Sequence, residues 1–181
     1  MLKSSLIVLA LTIGAGSAFA SNPMVGGSEM FPVKNIIENA VNSKDHTTLV
    51  AAVKAAGLVD TLQGAGPFTV FAPTNDAFGA LPAGTVDGLL KPEAKATLTK
   101  VLTCHVIAAN AMSDAVMKMV DDDGGMHKVK TVGGCELTLK YKDGKVMVED
   151  ETGGIATVTI ADVAQSNGVI HVIDAVLLPA E

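Results

Sequence analysis

Near residue 125 the periodicity of this chain changes, and that change limits the fold more than any other feature. Before it, apolar residues recur at helical spacing; after it, they alternate as in strands. Helical patterns in one half and β patterns in the other predict an α+β domain rather than a doubly wound α/β sheet. The β half carries the strongest local signal. Leu137, Leu139 and Tyr141 alternate with Thr138, Lys140 and Lys142; Asp143-Gly144 follows, and Val146 and Val148 resume the alternation. This pattern predicts a hairpin closed by a two-residue type I′ turn, whose central positions both need positive φ. Ile155 to Val163 reads as a further strand. Val169 to Leu178 reads as a strand buried on both faces.

In the first half, Pro32 suits the first turn of a helix, with Val33, Ile36, Ile37 and Ala40 on one face. Asp45 reads as the cap of a second helix, in which Leu49, Ala52, Val53 and Ala56 face inward and which Gly57 stops. Leu58 to Leu62 reads as a short apolar turn. The Gly64 to Pro67 break precedes a strand, Phe68 to Ala72. Thr74 then reads as the N-cap of a short helix through Phe78. Pro92 opens another helix, with Ala94, Leu98, Val101 and Leu102 inward. A β-like run, His105 to Ala108, precedes a helix near Asn110 to Val120.

The N-terminus has the form of a secretory signal peptide over residues 1–20. Lys3 supplies the positive end, Leu6 to Ile13 the apolar stretch, and Ala18-Phe19-Ala20 the small-x-small cleavage site. The alternative is an N-terminal membrane anchor, for which the apolar run is short. Residues 21–30 lack periodicity and read as a flexible leader, which leaves a single domain over residues 31–179. Val169 to Pro179, the longest apolar stretch after the leader, is too short to span a bilayer. The processed protein is therefore expected to be secreted or periplasmic.

Composition removes several functional classes. The 181 residues are 49% hydrophobic with a net charge of −6, so intrinsic disorder is excluded. All 13 basic residues are Lys, and there is one Tyr and no Trp. An acidic chain without Arg lacks the usual means of gripping phosphates, so nucleic acid and anionic membranes are poor partners. There is no Gly-x-Ser-x-Gly elbow, His-Glu-x-x-His motif or phosphate loop, and no enzyme activity or cofactor is expected.

Two segments go beyond generic pattern. One is Phe68-Thr69-Val70-Phe71-Ala72-Pro73-Thr74-Asn75-Asp76-Ala77-Phe78. The other runs from Ala161-Asp162-Val163 through Asn167-Gly168-Val169-Ile170-His171-Val172-Ile173-Asp174. Together they closely resemble the two homology segments of the fasciclin domain. His105, in Cys104-His105-Val106-Ile107, falls where that family carries a central Tyr-His motif, with Cys104 in the Tyr position. The resemblance covers about residues 31–179. It implies a β-wedge or sandwich flanked by helices in the N-terminal half, and an adhesion or binding role toward a protein or glycan at the cell envelope or matrix. It also implies that Asp162-Val163 occupies the place of an Asp-aliphatic pair implicated in receptor binding by adhesive relatives.

The residues themselves offer a structural account of the same motifs. Thr74, Asn75 and Asp76 place acceptor groups at a helix start, and Phe71 and Phe78 join strand to helix. His105 and His171 lie in apolar runs, where ring nitrogens must be paired. Two readings stay open for them: hydrogen-bonded core histidines, or a site that uses Asp76, Asp162 or Asp174 as partner. Cys104 and Cys135, the only cysteines, favour one disulfide in an exported protein, the alternative being two separate thiols. Met112, Met117, Met119 and Met126 flank Asp121-Asp122-Asp123 and His127. Thioethers and imidazole suit Cu(I), so segment 112–127 gives a second functional reading as an envelope metal- or small-ligand-binding protein. Met117 and Met119 cannot share one helical face, however, and no metal site is assigned.

Overall fold

The computed structural model describes residues 22–180. The expected signal peptide lies outside the described residues. Residues 22–30, expected as part of a flexible leader, instead form a small hairpin, β1 (Met24–Val25) and β2 (Ser28–Glu29). Val25 and Met30 are buried in the main core, and Lys44 N–H donates to the Gly26 carbonyl at 3.2 Å. Two buried apolar side chains are enough to hold so short a segment, although two residues per strand show no period.

The helical half is built largely by caps. Helix α1 (Ile36–Ala40) starts at Asn35 and not at Pro32. Asn35 accepts from Glu38 N–H, and the Glu38 carboxylate accepts from Asn35 N–H. This capping box pairs two end amides at once, a stronger start signal than Pro, and it leaves Val33 83% exposed. Helix α2 (Thr47–Ala56) follows a 3₁₀ turn, Lys44–His46, that contains Asp45; no side chain caps it locally. Gly57 ends it with a φ of 75°, as expected. Residues expected as an apolar turn form α3 (Val59–Gln63). Strand β3 (Phe68–Pro73) leads into α4 (Asn75–Gly79), where Thr74 Oγ1 accepts from Ala77 N–H at 3.2 Å. Helix α5 (Thr85–Leu89) had no sequence expectation, whereas α6 (Lys95–Cys104) follows the turn opened by Pro92. His105 ends α6, so the β-like run shrinks to β4 (Val106–Ile107), and α7 (Ser113–Asp122) comes next.

Five strands complete the chain: β5 (Met126–Lys130), β6 (Glu136–Lys142), β7 (Lys145–Glu149), β8 (Ile155–Gln165) and β9 (Gly168–Ile173). The expected hairpin is β6–β7, with φ of 52° at Asp143 and 79° at Gly144. Seven strands make one sheet in the order β4-β3-β9-β8-β7-β6-β5, antiparallel except for the β3–β9 pair. That parallel pair brings the two motif segments side by side.

Side-chain alternation in β3 and β9 supplies two cores. Val70, Ala72, Ile170 and Val172 face α1, α2 and α6, while Phe71 and Ile173 face α7 and the inner side of β6–β8. Val116 and Val120 of α7 close the second core over Leu137, Leu139 and Val148. A disulfide joins Cys104, at the end of α6, to Cys135, just before β6, with the Cα atoms 5.4 Å apart. It links the helical half to the β half.

Candidate functional site

Strand β8 does not run straight. Its register with β9 shifts between Val158 and Ile160 and again between Ile160 and Val163. At the second shift Asp162 adopts a φ of 60°, a left-handed conformation that Asp tolerates better than most residues. A bulge re-aims side chains. Here it turns the Asp162 carboxylate toward the start of α7 and leaves Val163 fully buried in the core. The carboxylate accepts from Ser113 N–H at 2.7 Å and from the Ser113 hydroxyl. Asp162 is therefore a long-range N-cap, its negative charge set where the helix end is positive.

His171 backs this bulge. Asp162 N–H donates to His171 Nδ1 at 3.2 Å, and His171 Nε2–H donates to the Ala111 carbonyl at 2.7 Å. Both partners are backbone groups, so the ring is neutral with its proton on Nε2. Burial lowers its pKa against the raising effects of the Ala111 carbonyl and the Asp162 charge. The ring stacks on Phe71 with centroids 5.8 Å apart. Thr69 holds the same loop, donating to the Ala109 carbonyl at 2.6 Å and accepting from Ala111 N–H at 2.9 Å. The loop before α7 is thus fixed by Thr69, His171 and Asp162, one from each of β3, β9 and β8.

Next to the bulge lies a surface cleft of about 300 Å³, lined by Ser113 and Met117 of α7, Tyr141 and Val146 of the hairpin, and Thr159 and Ala161 of β8, among others. Tyr141 remains 40% exposed, and Gly144 and Lys145 of the turn also line the cleft. Ser113, which bonds Asp162 and lines the cleft, joins bulge, fixed loop and cleft.

Other expected site residues serve the frame. His105 Nδ1–H donates to the Val101 carbonyl at 2.8 Å and its Nε2 accepts from Leu177 N–H at 2.9 Å. Neither His105 nor His171 bonds a carboxylate; all four of their ring nitrogens pair with backbone groups. Asn75 caps α2 from a distance: its Oδ1 accepts from Thr48 N–H at 3.0 Å and its Nδ2 donates to the Lys44 carbonyl at 2.8 Å. That is why α2 needs no local cap and Asp45 provides none. Asp76 sits exposed in the first turn of α4, and Asp174 accepts from Thr157 N–H at 2.7 Å where β9 ends.

The methionine-rich segment does not converge. Met117 lines the cleft, Met119 packs on the second core, and Met126 is exposed on β5. His127 pairs with Asp123 at 2.6 Å, and among the described residues no three His, Cys, Asp or Glu side chains gather for a metal.

Two organising residues were missed from sequence. Asn167 accepts from Ile36 N–H at 3.1 Å and donates to the Leu62 and Gly64 carbonyls at 2.8 and 2.9 Å, joining the β8–β9 turn to α1 and α3. Asp150, buried, accepts from Thr152, Gly154 and Leu178 N–H groups. Asn167 stands in the second motif segment but its role rests on distant partners, whereas Asp150 joins local groups at Thr152 and Gly154 to Leu178, 28 residues away.

Comparison with known proteins places this architecture. The family model described as fasciclin domain matches residues 44–179. Protein sll1483 of Synechocystis is 53% identical over 144 residues, covering 80% of this chain and 73% of that protein. The cell surface glycolipoprotein MPB83 of Mycobacterium bovis is 33% identical over 166 residues, covering 92% of this chain and 64% of that one. Among solved structures, a FAS1 domain pair from the insect cell adhesion molecule fasciclin I aligns with a TM-score of 0.58 and 25% identity, over 72% of this chain and 43% of that chain.

Proposed function

The chain belongs to the fasciclin family, and from that premise we propose that it is an exported binding module that engages a protein or glycan of the cell envelope or extracellular matrix. The observation that carries the reading is the Asp162 bulge. A polar residue on β8, bonded to His171 of β9 and to the start of α7, stands beside an open cleft, at the position where adhesive relatives carry a receptor-binding Asp. Val163 serves this surface as a buried anchor, fixing where Asp162 stands. Export rests on the signal-peptide pattern of residues 1–20, and a matched relative is named as a cell-surface protein. No helix of the described residues is long and apolar enough to cross a membrane. Binding is favoured over catalysis because each ring nitrogen of His105 and His171 is already committed to a backbone group.

The test is adhesion of the producer's own cells and envelope extracts to the immobilised protein, as that cell processes it. Saturable binding is expected, weakened in Asp162→Ala and largely kept in Asp162→Asn, which retains an acceptor for Ser113. Absence of saturable binding at micromolar protein, or undiminished binding by folded Asp162→Ala, overturns the proposal. N-terminal sequencing of the exported protein checks cleavage after Ala20.

A further inference from the structure

Strand alternation sorts the charges of the β half onto one side of the sheet. Leu137, Leu139, Val146 and Val148 point into the second core, so the residues between them point away from it. By register, Lys128, Lys130, Lys140, Lys142 and Lys145 all fall on that outer side. Over β3 and β9 the first core covers this side; over β5–β7 it is open, and all these lysines except Lys140 are exposed. Five of the chain's 13 lysines thus share one face with two acidic residues, Glu136 and Glu149, in a chain of net charge −6. Lys128 pairs with Glu136 at 2.7 Å, and Lys140 pairs with Glu149. Lys130, Lys142 and Lys145 have no ion-pair partner among the described residues. Protection of a free sheet edge accounts for lysines on β5. It does not account for Lys142 and Lys145, which stand opposite each other on interior strands, where facing like charges are destabilising.

The five lysines form a diagonal stripe, from Lys130 and Lys128 on β5, through Lys140 and Lys142 on β6, to Lys145 on β7. At about 3.4 Å per residue along a strand and about 4.8 Å between strands, the stripe is roughly 20 Å long. We propose that it binds a linear acidic polysaccharide, whose carboxylates lie along the lysines. The surface is on the opposite side of the sheet from α7 and the Asp162 cap, so it is a second binding surface and goes beyond the adhesion reading. Charge spacing selects the ligand. Duplex DNA carries one charge per about 1.7 Å, far more than this sparse stripe offsets on an acidic chain. A polymer with one carboxylate on each sugar, or on every second sugar, matches it. A buried protein interface is not favoured, because such interfaces centre on aromatic residues and Arg and are depleted in Lys. This face has no aromatic residue and no Arg. It offers Met126 and Met147 on either side of Lys140 for contact with sugar C–H groups, and the Thr138 hydroxyl beside Lys128 for sugar hydroxyls. The net charge of −6 repels a polyanion elsewhere and orients it toward the stripe.

Calorimetry with decagalacturonate, neutral maltodecaose and decaglutamate tests this on the protein as the cell processes it. Decagalacturonate is expected to bind saturably and at least about tenfold more tightly than maltodecaose, as charge-assisted contacts require. Its affinity should fall at least about tenfold between about 20 mM and about 200 mM salt, because exposed charges are screened. Lys130→Gln, Lys142→Gln and Lys145→Gln should each weaken it about twofold to fivefold, and the triple variant at least about tenfold. The triple Arg variant should keep the affinity. Lys95→Gln makes the same charge change on α6 and should leave affinity unchanged; Asp162→Ala should not weaken it. The three replaced lysines are exposed, and removing the Lys142–Lys145 opposition should not lower the melting temperature, so loss of binding is not loss of fold. Equal binding of maltodecaose, tighter binding of decaglutamate, or equal loss in Lys95→Gln overturns the proposal. Decagalacturonate binding that is absent, or that survives the triple Gln variant, overturns it while leaving the adhesion reading standing. Decagalacturonate binding without envelope binding does the reverse.

Discussion

Acidification should destabilise this domain through His105, and the size of the effect follows from its surroundings. The ring is 2% exposed, donates from Nδ1 to the Val101 carbonyl and accepts at Nε2 from Leu177 N–H. A second ring proton would point at an N–H that has no acceptor to offer. Burial is the main cause that lowers the pKa from 6.5 to about 4, against the raising effects of the Val101 carbonyl and the Asp150 charge. The folded value lies below the unfolded one, so the unfolded chain takes up the proton first. The stability contribution is complete above the unfolded pKa and is lost as pH falls from 6.5 toward 4. Linkage with these two values gives a loss of about 2.5 kcal/mol by about pH 4.5, and a slope near 1.4 kcal/mol per pH unit within the window. His46 and His171 are shifted the same way and steepen the wild-type curve. The perturbation is His105→Gln, whose amide can both donate to Val101 and accept from Leu177. Urea unfolding at several pH values should show a curve flatter by about one proton between pH 6.5 and 4.5. A wild-type stability that is flat across that window, or a variant with the same slope as wild type, would refute the reasoning.

Reduction of the Cys104–Cys135 bond, or the double Ser variant, should cost about 3.5 kcal/mol in the chain-entropy model, read as a lower urea midpoint that reductant does not lower further. Phe71→Ala should cost about 3–5 kcal/mol, because the ring is fully buried where β3 meets α7 and supports His171; thermal unfolding measures it. Thr74→Ala removes one helix cap and should cost only ~1 kcal/mol, with Thr74→Ser recovering most of it. Gly168→Ala should be worse than the cap loss, since a Cβ there would meet the Phe68 carbonyl oxygen across the parallel β3–β9 pair; a cost of about 2–3 kcal/mol in urea is expected, and a neutral result would disprove that close approach.

Where local chemistry was self-sufficient, the elements could be read from the residues. The Asp143-Gly144 turn, the Thr74 cap and the Gly57 stop each solve a backbone problem within a few residues, and each stands where the pattern placed it. The capping box at Asn35 was equally local, but Pro32 drew the helix start too early. Reading failed where partners were remote. Asp45 could not be ruled out as a cap because the group that satisfies α2 is Asn75, from beyond β3. The leader reads as unstructured because what orders it, burial of Val25 and Met30 and bonds such as Lys44 N–H to the Gly26 carbonyl, comes from parts of the fold assembled elsewhere. Strand β5 was masked by its methionine, lysine and histidine content, and by its place at the sheet edge.

The candidate site divides in the same way. The sequence by itself determined the α+β class, the family motifs, and the hairpin that carries Tyr141, Lys142 and Lys145, because period, turn chemistry and capping act over a few residues. It also named Asp162 and His171. Tertiary structure alone decided what those residues do. The β8 bulge turned Asp162 onto Ser113, 49 residues away, buried Val163, and gave both nitrogens of His171 to backbone partners. Hydrogen-bond partners and clefts are set by which strands lie side by side, and a parallel β3–β9 pairing across 100 residues of sequence leaves no local trace.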